Sequence, residues 1–417
     1  MGEPVAAIPV DAIVCFSTDA WGDMKRPGQL MLKLMAHAQI IYVEPMLSLT
    51  SVVKNWRRAF RPDARKRLAR AVTGRVDEVM PGVHAVTPII AVPSQRVSFM
   101  LTPWLLNRLI TRQEKRMVRR AFRAARRLGV CRPLLWASFP MRFDGWPTNE
   151  RGTVVYDCMD RWSDFPDALE DPVLGARGAQ DERDLARTAD VVFCSAEGLY
   201  DVQRTRTEAP VLLVRNGADI DHFAPAGRPV PGDIAHLCRP VIGYVGALAE
   251  WVDFEMLRDV ALLRPDWSIL LIGPIFQGKT MGDARALDLV SGLPHVHLLG
   301  SRAYRDVPAY LEAFDVATIP FKLNGLTEDT NPIKVYEYLA AGVGVVSTPL
   351  AEVVSLGEAR IAANAKEFVE QCEAAIAERS DAERIAARMQ VAHENSWDAR
   401  AHVIWEAVLA LRESGGG

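Results

Sequence analysis

Several features that would settle a function outright are missing from this 417-residue chain. Its six cysteines (Cys15, Cys131, Cys158, Cys194, Cys238 and Cys372) are scattered and form no Cys-x-x-Cys pair. A zinc module is therefore unexpected, a disulfide framework more so, and the pattern suits a reducing cytosol. No apolar run approaches the ~20 residues that span a bilayer. Ala12–Phe16 is too short for the hydrophobic region of a signal peptide and follows no basic start. These absences predict a cytoplasmic protein that meets membranes only from their surface. There is also no internal repeat or low-complexity tract of the kind that marks solenoids and disordered scaffolds.

What is present is an ordinary globular mix, 49% apolar and 24% charged, long enough for two domain cores. The formal net charge of -3 conceals an asymmetry. Between Ser51 and Val130 stand 19 Lys/Arg against 4 Asp/Glu, so the remainder is clearly acidic. A positive region of that size attracts membrane headgroups, phosphates or nucleic acid. Nothing beyond charge points to nucleic acid, and no nucleic-acid partner is expected.

Short Val- and Ile-rich runs, each followed by a helical pattern, recur at Ala12–Cys15, Ile40–Val43, Leu134–Ala137, Thr153–Tyr156, Val191–Cys194 and Val211–Val214. A second set comprises Val241–Val245, Ser268–Ile272, Val296–Leu298, Val316–Ile319 and Gly344–Ser347. Such runs read as strands buried on both faces, hence parallel, and their alternation with helices predicts two doubly wound α/β sheets. The Pro- and Gly-rich segment Phe223–Pro240 divides the sets as a linker. The expected domains are residues 1–224 and 238–395, with a last helix over 396–414 that starts at Ser396 and crosses back to the first domain. Ligands of open parallel sheets gather at the strands' carboxyl ends.

The most informative stretch is Asp329–Gly342, DTNPIKVYEYLAAG. Pro332 suits a first helical turn, Asn331 an N-cap, and Tyr336, Leu339 and Ala340 a buried face. The free N–H groups and dipole of a helix start bind phosphate. Lys334 in that first turn runs against the usual charge preference and costs stability unless an anion is present. Glu337, one turn on, could accept two ribose hydroxyls. The plain alternative is a surface helix with both side chains solvated.

This stretch resembles the donor-site signature of family-4 glycosyltransferases, in which two acids are separated by seven residues and the second opens a Glu-x-x-Ala-x-Gly-like helix. Asp329 and Glu337 keep the spacing, with Asp where the family usually has Glu. The variant Asn-Pro-x-Lys before Tyr-Glu-Tyr-Leu-Ala-Ala-Gly is similar to a teichuronic-acid and exopolysaccharide-type subgroup. The resemblance implies the GT-B fold, two Rossmann-like parallel-sheet domains facing across a cleft. It implies Glu337 on the nucleotide ribose, Asp329 near the sugar, and backbone groups around Asn331, Pro332 and Ile333 on the diphosphate. It also implies a metal-independent site with no cofactor, a nucleotide diphosphate sugar as co-substrate, and retention at the anomeric carbon.

Three further stretches agree. Val214–Phe223, VRNGADIDHF, resembles the Asn-Gly turn that closes the family's first domain, and Asp219 and Asp221 suit turn caps better than a metal-binding pair. Ile242–Glu250, IGYVGALAE, resembles the glycine loop, with Gly246 allowing close backbone approach. His297–Val316 is similar to the loop and helix around the base, which Gly300, Ser301 and Arg302 would line. One departure matters: Ala247, Ala249, Glu250 and Trp251 stand where the family carries an Arg and a Lys. Lys334 must then supply the compensating charge, with Lys279 a weaker candidate. The triplet Gly278-Lys279-Thr280 resembles the end of a P-loop and is not adopted as an ATPase signal.

In the first domain, Phe16–Gln29 follows the first strand and offers Asp19 and Trp21, with Asp23, toward an acceptor. Val154–Asp164 offers Asp157 and Asp160 at a strand's carboxyl end. The resembled family often has a His near the reacting sugar here, so Asp157 joins Lys334 and Asp329 as a catalytic candidate by position. A structural hydrogen bond is its plain alternative. The basic segments Lys54–Val72 and Arg112–Arg127, with apolar Val97–Ile110 and its Trp104, suit a membrane surface. The expected activity is hexosyl transfer from a UDP-sugar to a hydroxyl of a lipid-linked or polymeric cell-envelope saccharide, at the inner face of the cytoplasmic membrane. The rivals are a nucleotide-sugar epimerase of the same fold and a noncatalytic nucleotide-sugar-binding assembly protein.

Overall fold

The computed structural model describes residues 11–48, 50, 62–90, 101–162, 171–275 and 284–414. It divides into two compact units. The first comprises Met1–Ser195, Leu199–Val214 and Ala401–Gly417, and the second Ala196–Gly198 and Arg215–Arg400.

In the first unit the strands are β1 (Ala12–Phe16), β2 (Gln39–Val43), β3 (Leu47–Ser48), β4 (Asp77–Met80), β5 (Val83–Val86), β6 (Ile89–Ile90), β7 (Leu134–Ala137), β8 (Val154–Cys158), β9 (Val191–Cys194) and β10 (Val211–Leu213). Eight of them form one sheet in the order β10-β9-β8-β7-β1-β2-β5-β4, while β3 and β6 pair separately. Every residue of β1, β7, β8 and β9 is buried, which is why their sequences are apolar runs, broken only by Asp157 in β8. Pairing is parallel except at the edge, where β4 returns antiparallel beside β5. The sequence reading did not find β3, β4, β5 or β6. β3 and β6 are two residues long, and half of β4 faces solvent, so Asp77 and Glu78 interrupt any apolar run.

The helices of this unit include α1 (Arg26–Leu34), α2 (Pro62–Thr73), α3 (Pro103–Arg127) and α4 (Pro172–Thr188). Thr102 caps α3, its side chain accepting from Leu105 N–H at 3.4 Å, and Pro103 opens the first turn. Small residues Ala121, Ala124 and Ala125, with Leu106, Met117 and Val118, form its buried face. Arg108, Arg112, Arg116, Arg119 and Arg123 occupy the exposed face.

The second unit has a fully parallel six-stranded sheet in the order β13-β12-β11-β14-β15-β16. Its strands are β11 (Val241–Val245), β12 (Ser268–Ile272), β13 (Val296–Gly300), β14 (Val316–Ile319), β15 (Val345–Ser347) and β16 (Arg360–Ile361). The helices α5 (Phe254–Leu263), α6 (Val307–Ala313), α7 (Ile333–Ala340), α8 (Ala351–Leu356), α9 (Ala365–Ala377) and α10 (Ala382–Glu394) accompany it. Helix α11 (Trp397–Ser414) follows, and from Ala401 onward it belongs to the first unit, where Trp405 stacks on His37 at 4.6 Å.

The segment Phe223–Pro240 lies within the second unit and is strapped down rather than loose. Arg228 pairs with Glu312, Asp233 with Arg302, and Arg239 with Asp315. Among the described residues, no helix is long and apolar enough to cross a membrane.

Candidate functional site

Helix α7 begins one residue later than its sequence suggests. Pro332, at φ -74° and ψ 116°, is the N-cap, and Asn331 is not. The Asn331 side chain is spent on tertiary contacts instead. Its Oδ1 accepts from Asn216 N–H at 3.1 Å, and its Nδ2 donates to Tyr336 Oη and Glu352 Oε2, both at 3.0 Å. Asn216 Nδ2 in turn donates to the Asn331 carbonyl at 2.6 Å. Glu352 also accepts from Arg215 Nε at 2.6 Å and Glu197 N–H at 2.7 Å. This lattice fixes the start of α7, where Val335 N–H donates to the Pro332 carbonyl at 3.2 Å and the N–H groups of Ile333 and Lys334 precede the first helical bonds.

Lys334 and Glu337, both half-buried, lie on that first stretch. Lys334 Nζ sits 4.7 Å from the Phe321 ring centroid and 5.4 Å from that of Tyr244. Aromatic faces attract a cation without neutralising it. Among the described residues, neither Lys334 nor Glu337 has an ion-pair partner within 4.0 Å. Burial pushes Lys334 down to about 8, opposed by the charge of Glu337. Burial likewise pushes Glu337 up to about 7, opposed by Lys334.

Gly246 completes this group. A Cβ there would stand 2.8 Å from Tyr244 Oη and 2.9 Å from Lys334 Cε, at a φ of 155°. Its carbonyl oxygen packs so closely on Gly273 that a Cβ on Gly273 would lie 1.8 Å away. Tyr338 Oη pins the loop to α7, accepting from Val245 N–H at 2.8 Å and donating to its carbonyl at 3.2 Å.

The other predicted residues of this unit are spread around the group. The Asp329 carboxylate is buried against Gly198, where a Cβ would lie 1.8 Å from Oδ1. Gly300 takes φ 68° at the end of β13, with Ser301 exposed beside it. Arg302 is not a free pocket cation. Its Nη2 donates to Asp233 Oδ2 at 2.6 Å, its Nε to Tyr310 Oη at 2.8 Å and its Nη1 to the Leu299 carbonyl at 2.6 Å. Asp219 caps the short helix Ile220–Phe223, accepting from His222 N–H. Lys279 falls outside the described residues. Gly273 stands five residues before Gly278, so the sequence carries the full Gly-x4-Gly-Lys-Thr spacing of a P-loop. Gly273, however, donates its N–H to the Gly300 carbonyl at 3.0 Å, so it is not available to cradle a phosphate.

In the first unit, a charged cluster gathers where β1 and β8 end. Asp157 has no exposed surface, and its Oδ1 accepts from both Nε and Nη2 of Arg26, at 2.9 and 2.8 Å. Full burial and this pairing give Asp157 the structural role of holding α1 to β8. This matches the structural hydrogen bond that was its plain alternative. Asp160 is half-buried, and burial pushes its carboxyl up to about 7, with Lys25 and Arg26 pulling down and Asp19 and Asp157 pushing up. Asp19 accepts from Lys25 Nζ at 2.6 Å. Trp21 packs edge-on against Tyr42 at 5.1 Å, and its backbone N–H donates to Glu44 Oε1 at 3.3 Å. Glu44 is itself held by Arg70 Nη2 at 2.9 Å and by Thr87 Oγ1.

Arg26, Glu44 and Arg70 were missed by sequence reasoning. Arg26 carried a usable signal, since it opens a helix beside Pro27 with no acid in the first turn, much as Lys334 does. Arg70 carried none, being one of many basic residues in its segment.

Residues 239–378 match the family described as glycosyl transferases group 1. Over 285 residues the chain is 27% identical to the putative teichuronic acid biosynthesis glycosyltransferase TuaH of Bacillus subtilis, covering 63% of this chain and 68% of that one. In structure it is similar to sucrose-phosphate synthase from Thermosynechococcus elongatus, at TM-score 0.68 and 14% identity over 96% of this chain and 99% of that one. It is also similar to Anabaena HepE in complex with UDP-glucose, at TM-score 0.58 and 14% identity over 96% and 99%.

Proposed function

We propose, on the premise that the chain is a glycosyltransferase of the GT-B fold with a group 1 domain at residues 239–378, that it moves a hexosyl group from a UDP-sugar to a hydroxyl of a cell-envelope saccharide. The observation that carries this reading is Lys334. A half-buried cation rests on two aromatic faces beside Gly246, with no carboxylate within ion-pair distance among the described residues. Holding it costs folding energy that an anionic ligand would return.

In this reading the leaving diphosphate is stabilised by the Lys334 side chain and the first-turn N–H groups of Ile333 and Lys334, which are preorganised where negative charge accumulates. Glu337 takes the ribose hydroxyls, Asp329 lies toward the sugar, and Gly246, Gly300 and Ser301 give backbone access. Asn331 acts as the strut that aims this helix start. The second unit is the donor side and the first the acceptor side, with Asp19, Trp21 and Asp160 facing the acceptor and Asp157 holding Arg26. Asp160, poised near neutrality, is the group there suited to accept a hydroxyl proton. Transfer proceeds with retention and without a metal, as the resemblance implies.

The UDP assignment is supported by the fold shared with HepE, which binds UDP-glucose. The envelope acceptor, lipid-linked or polymeric, is supported by the teichuronic-acid relative. The exposed Arg face of α3, with Trp104 64% and Leu105 44% exposed at its start, suits attachment to an anionic membrane surface. A thermal-shift panel of nucleoside diphosphates and their sugars tests the donor assignment. A ligand at a hundred times its Kd adds about 2.7 kcal/mol of apparent stability. The reading expects UDP and a UDP-hexose to stabilise most, and it fails if no nucleotide shifts the transition.

A further inference from the structure

The first unit contains a cavity of about 610 Å³, within the size range of small-molecule sites. It lies among α3, α4 and the segment joining β7 to β8. The rings of Phe143 and Trp146, 8% and 4% exposed, contribute an apolar floor. The rim is charged but unevenly neutralised. Arg142 is within 3.7 Å of Asp144 and 3.3 Å of Asp184. Arg151 and Arg187, also on the lining, have no ion-pair partner within 4.0 Å among the described residues.

This place is distinct from the cluster at the strands' carboxyl ends. Arg151 stands three residues before β8 and Arg187 four before β9, so both sit where the chain enters the sheet. Asp157 lies three residues into β8, ~10 Å from that end at the usual rise, and Asp160 lies beyond the strand's other end.

We propose that the cavity binds a small anionic sugar, a uronate or a sugar phosphate, away from the transfer chemistry. Two guanidinium groups without carboxylate partners fit a carboxylate or phosphate, which their planar forks bind through paired N–H bonds. Asp144 and Asp184 offer oxygens to accept ring hydroxyls, which a bare anion does not need. Phe143 and Trp146 supply apolar lining for the C–H groups of a pyranose. Occupancy would also be felt by the acceptor side. Phe143 packs edge-on against Phe16 at 5.5 Å, and Phe16 immediately precedes the segment bearing Asp19 and Trp21.

Calorimetric titration of the full chain with glucuronate, glucose 6-phosphate, inorganic phosphate and glucose tests this. UDP is titrated in parallel, so that failure here is distinguishable from failure of the donor assignment. One anionic sugar should bind, and which one binds identifies the anion. Binding should weaken at least tenfold in the Arg151→Ala/Arg187→Ala variant, with UDP affinity unchanged. Thr148→Trp, at an exposed lining position, should block binding by filling the space without removing charge. The proposal is overturned if glucose or inorganic phosphate binds as well as the anionic sugars. It is also overturned if both variants bind like the parent, or if none of the four binds at millimolar concentration.

Discussion

Replacing Lys334 by methionine should move stability and ligand affinity in opposite directions. Burial takes the lysine from 10.5 to about 8 in the folded chain. Keeping it charged at pH 7 therefore costs the ligand-free protein roughly 3 kcal/mol. Because the folded value lies below the unfolded one, the unfolded chain binds more protons between them. The cost is complete below about pH 8 and is relieved as pH rises toward 10.5. Methionine keeps most of the stem's contacts with Tyr244 and Phe321 and removes the charge. Glu337 then loses its one favourable neighbour charge, which offsets part of the gain, leaving a net stabilisation of about 1–3 kcal/mol at pH 7. The diphosphate, in turn, loses a charge-assisted contact of about 1.5–3 kcal/mol, a fall of ~10- to 150-fold in affinity. Urea unfolding at pH 7 and again above pH 9, with calorimetric titration of UDP, measures both effects. A methionine variant that is less stable at pH 7, or that binds UDP within twofold of the parent, would refute the reasoning.

The pH dependence of donor kcat/KM should be bell-shaped. It should rise through about 7 as Glu337 ionises and fall above about 8 as Lys334 loses its proton. Because Asp160 also lies at about 7, the acid limb should persist in Glu337→Gln and in Asp160→Asn singly and be abolished in the double variant, and a limb unchanged in the double variant would assign it elsewhere. Asp157→Asn should cost about 1.5–3 kcal/mol in urea unfolding, because the charge-assisted hydrogen bonds that Arg26 donates to it become bonds to a neutral amide. A cost below ~1 kcal/mol with loss of turnover would instead give Asp157 a direct chemical role. The parent protein should float with anionic vesicles at low salt, with each basic residue near the surface contributing about 1 kcal/mol, and sink at high salt. Failure to float at low salt counts against the α3 surface.

The doubly wound sheets were legible because a strand buried on both faces favours an unbroken apolar run, as in β1, β7 and β9. The half-exposed β4 was not legible for the complementary reason. Phe223–Pro240 has the composition of a loose connection, yet three ion pairs to distant residues bind it to the second sheet. Asn331 shows the same limit. Its local preference for capping gave way to Asn216, 115 residues away, and to Glu352.

By itself the sequence determined the alternation of the apolar parallel strands with helices and singled out α7, since periodicity, proline at a helix start and a misplaced first-turn lysine are all local signals. Only the tertiary structure decided which charges are neutralised. Arg26 finds Asp157 across 131 residues, and Arg302 finds Asp233. Lys334 finds two aromatic rings and, among the described residues, no acid within ion-pair distance. Burial and pairing depend on which distant segments the fold brings together, and no local pattern encodes that choice.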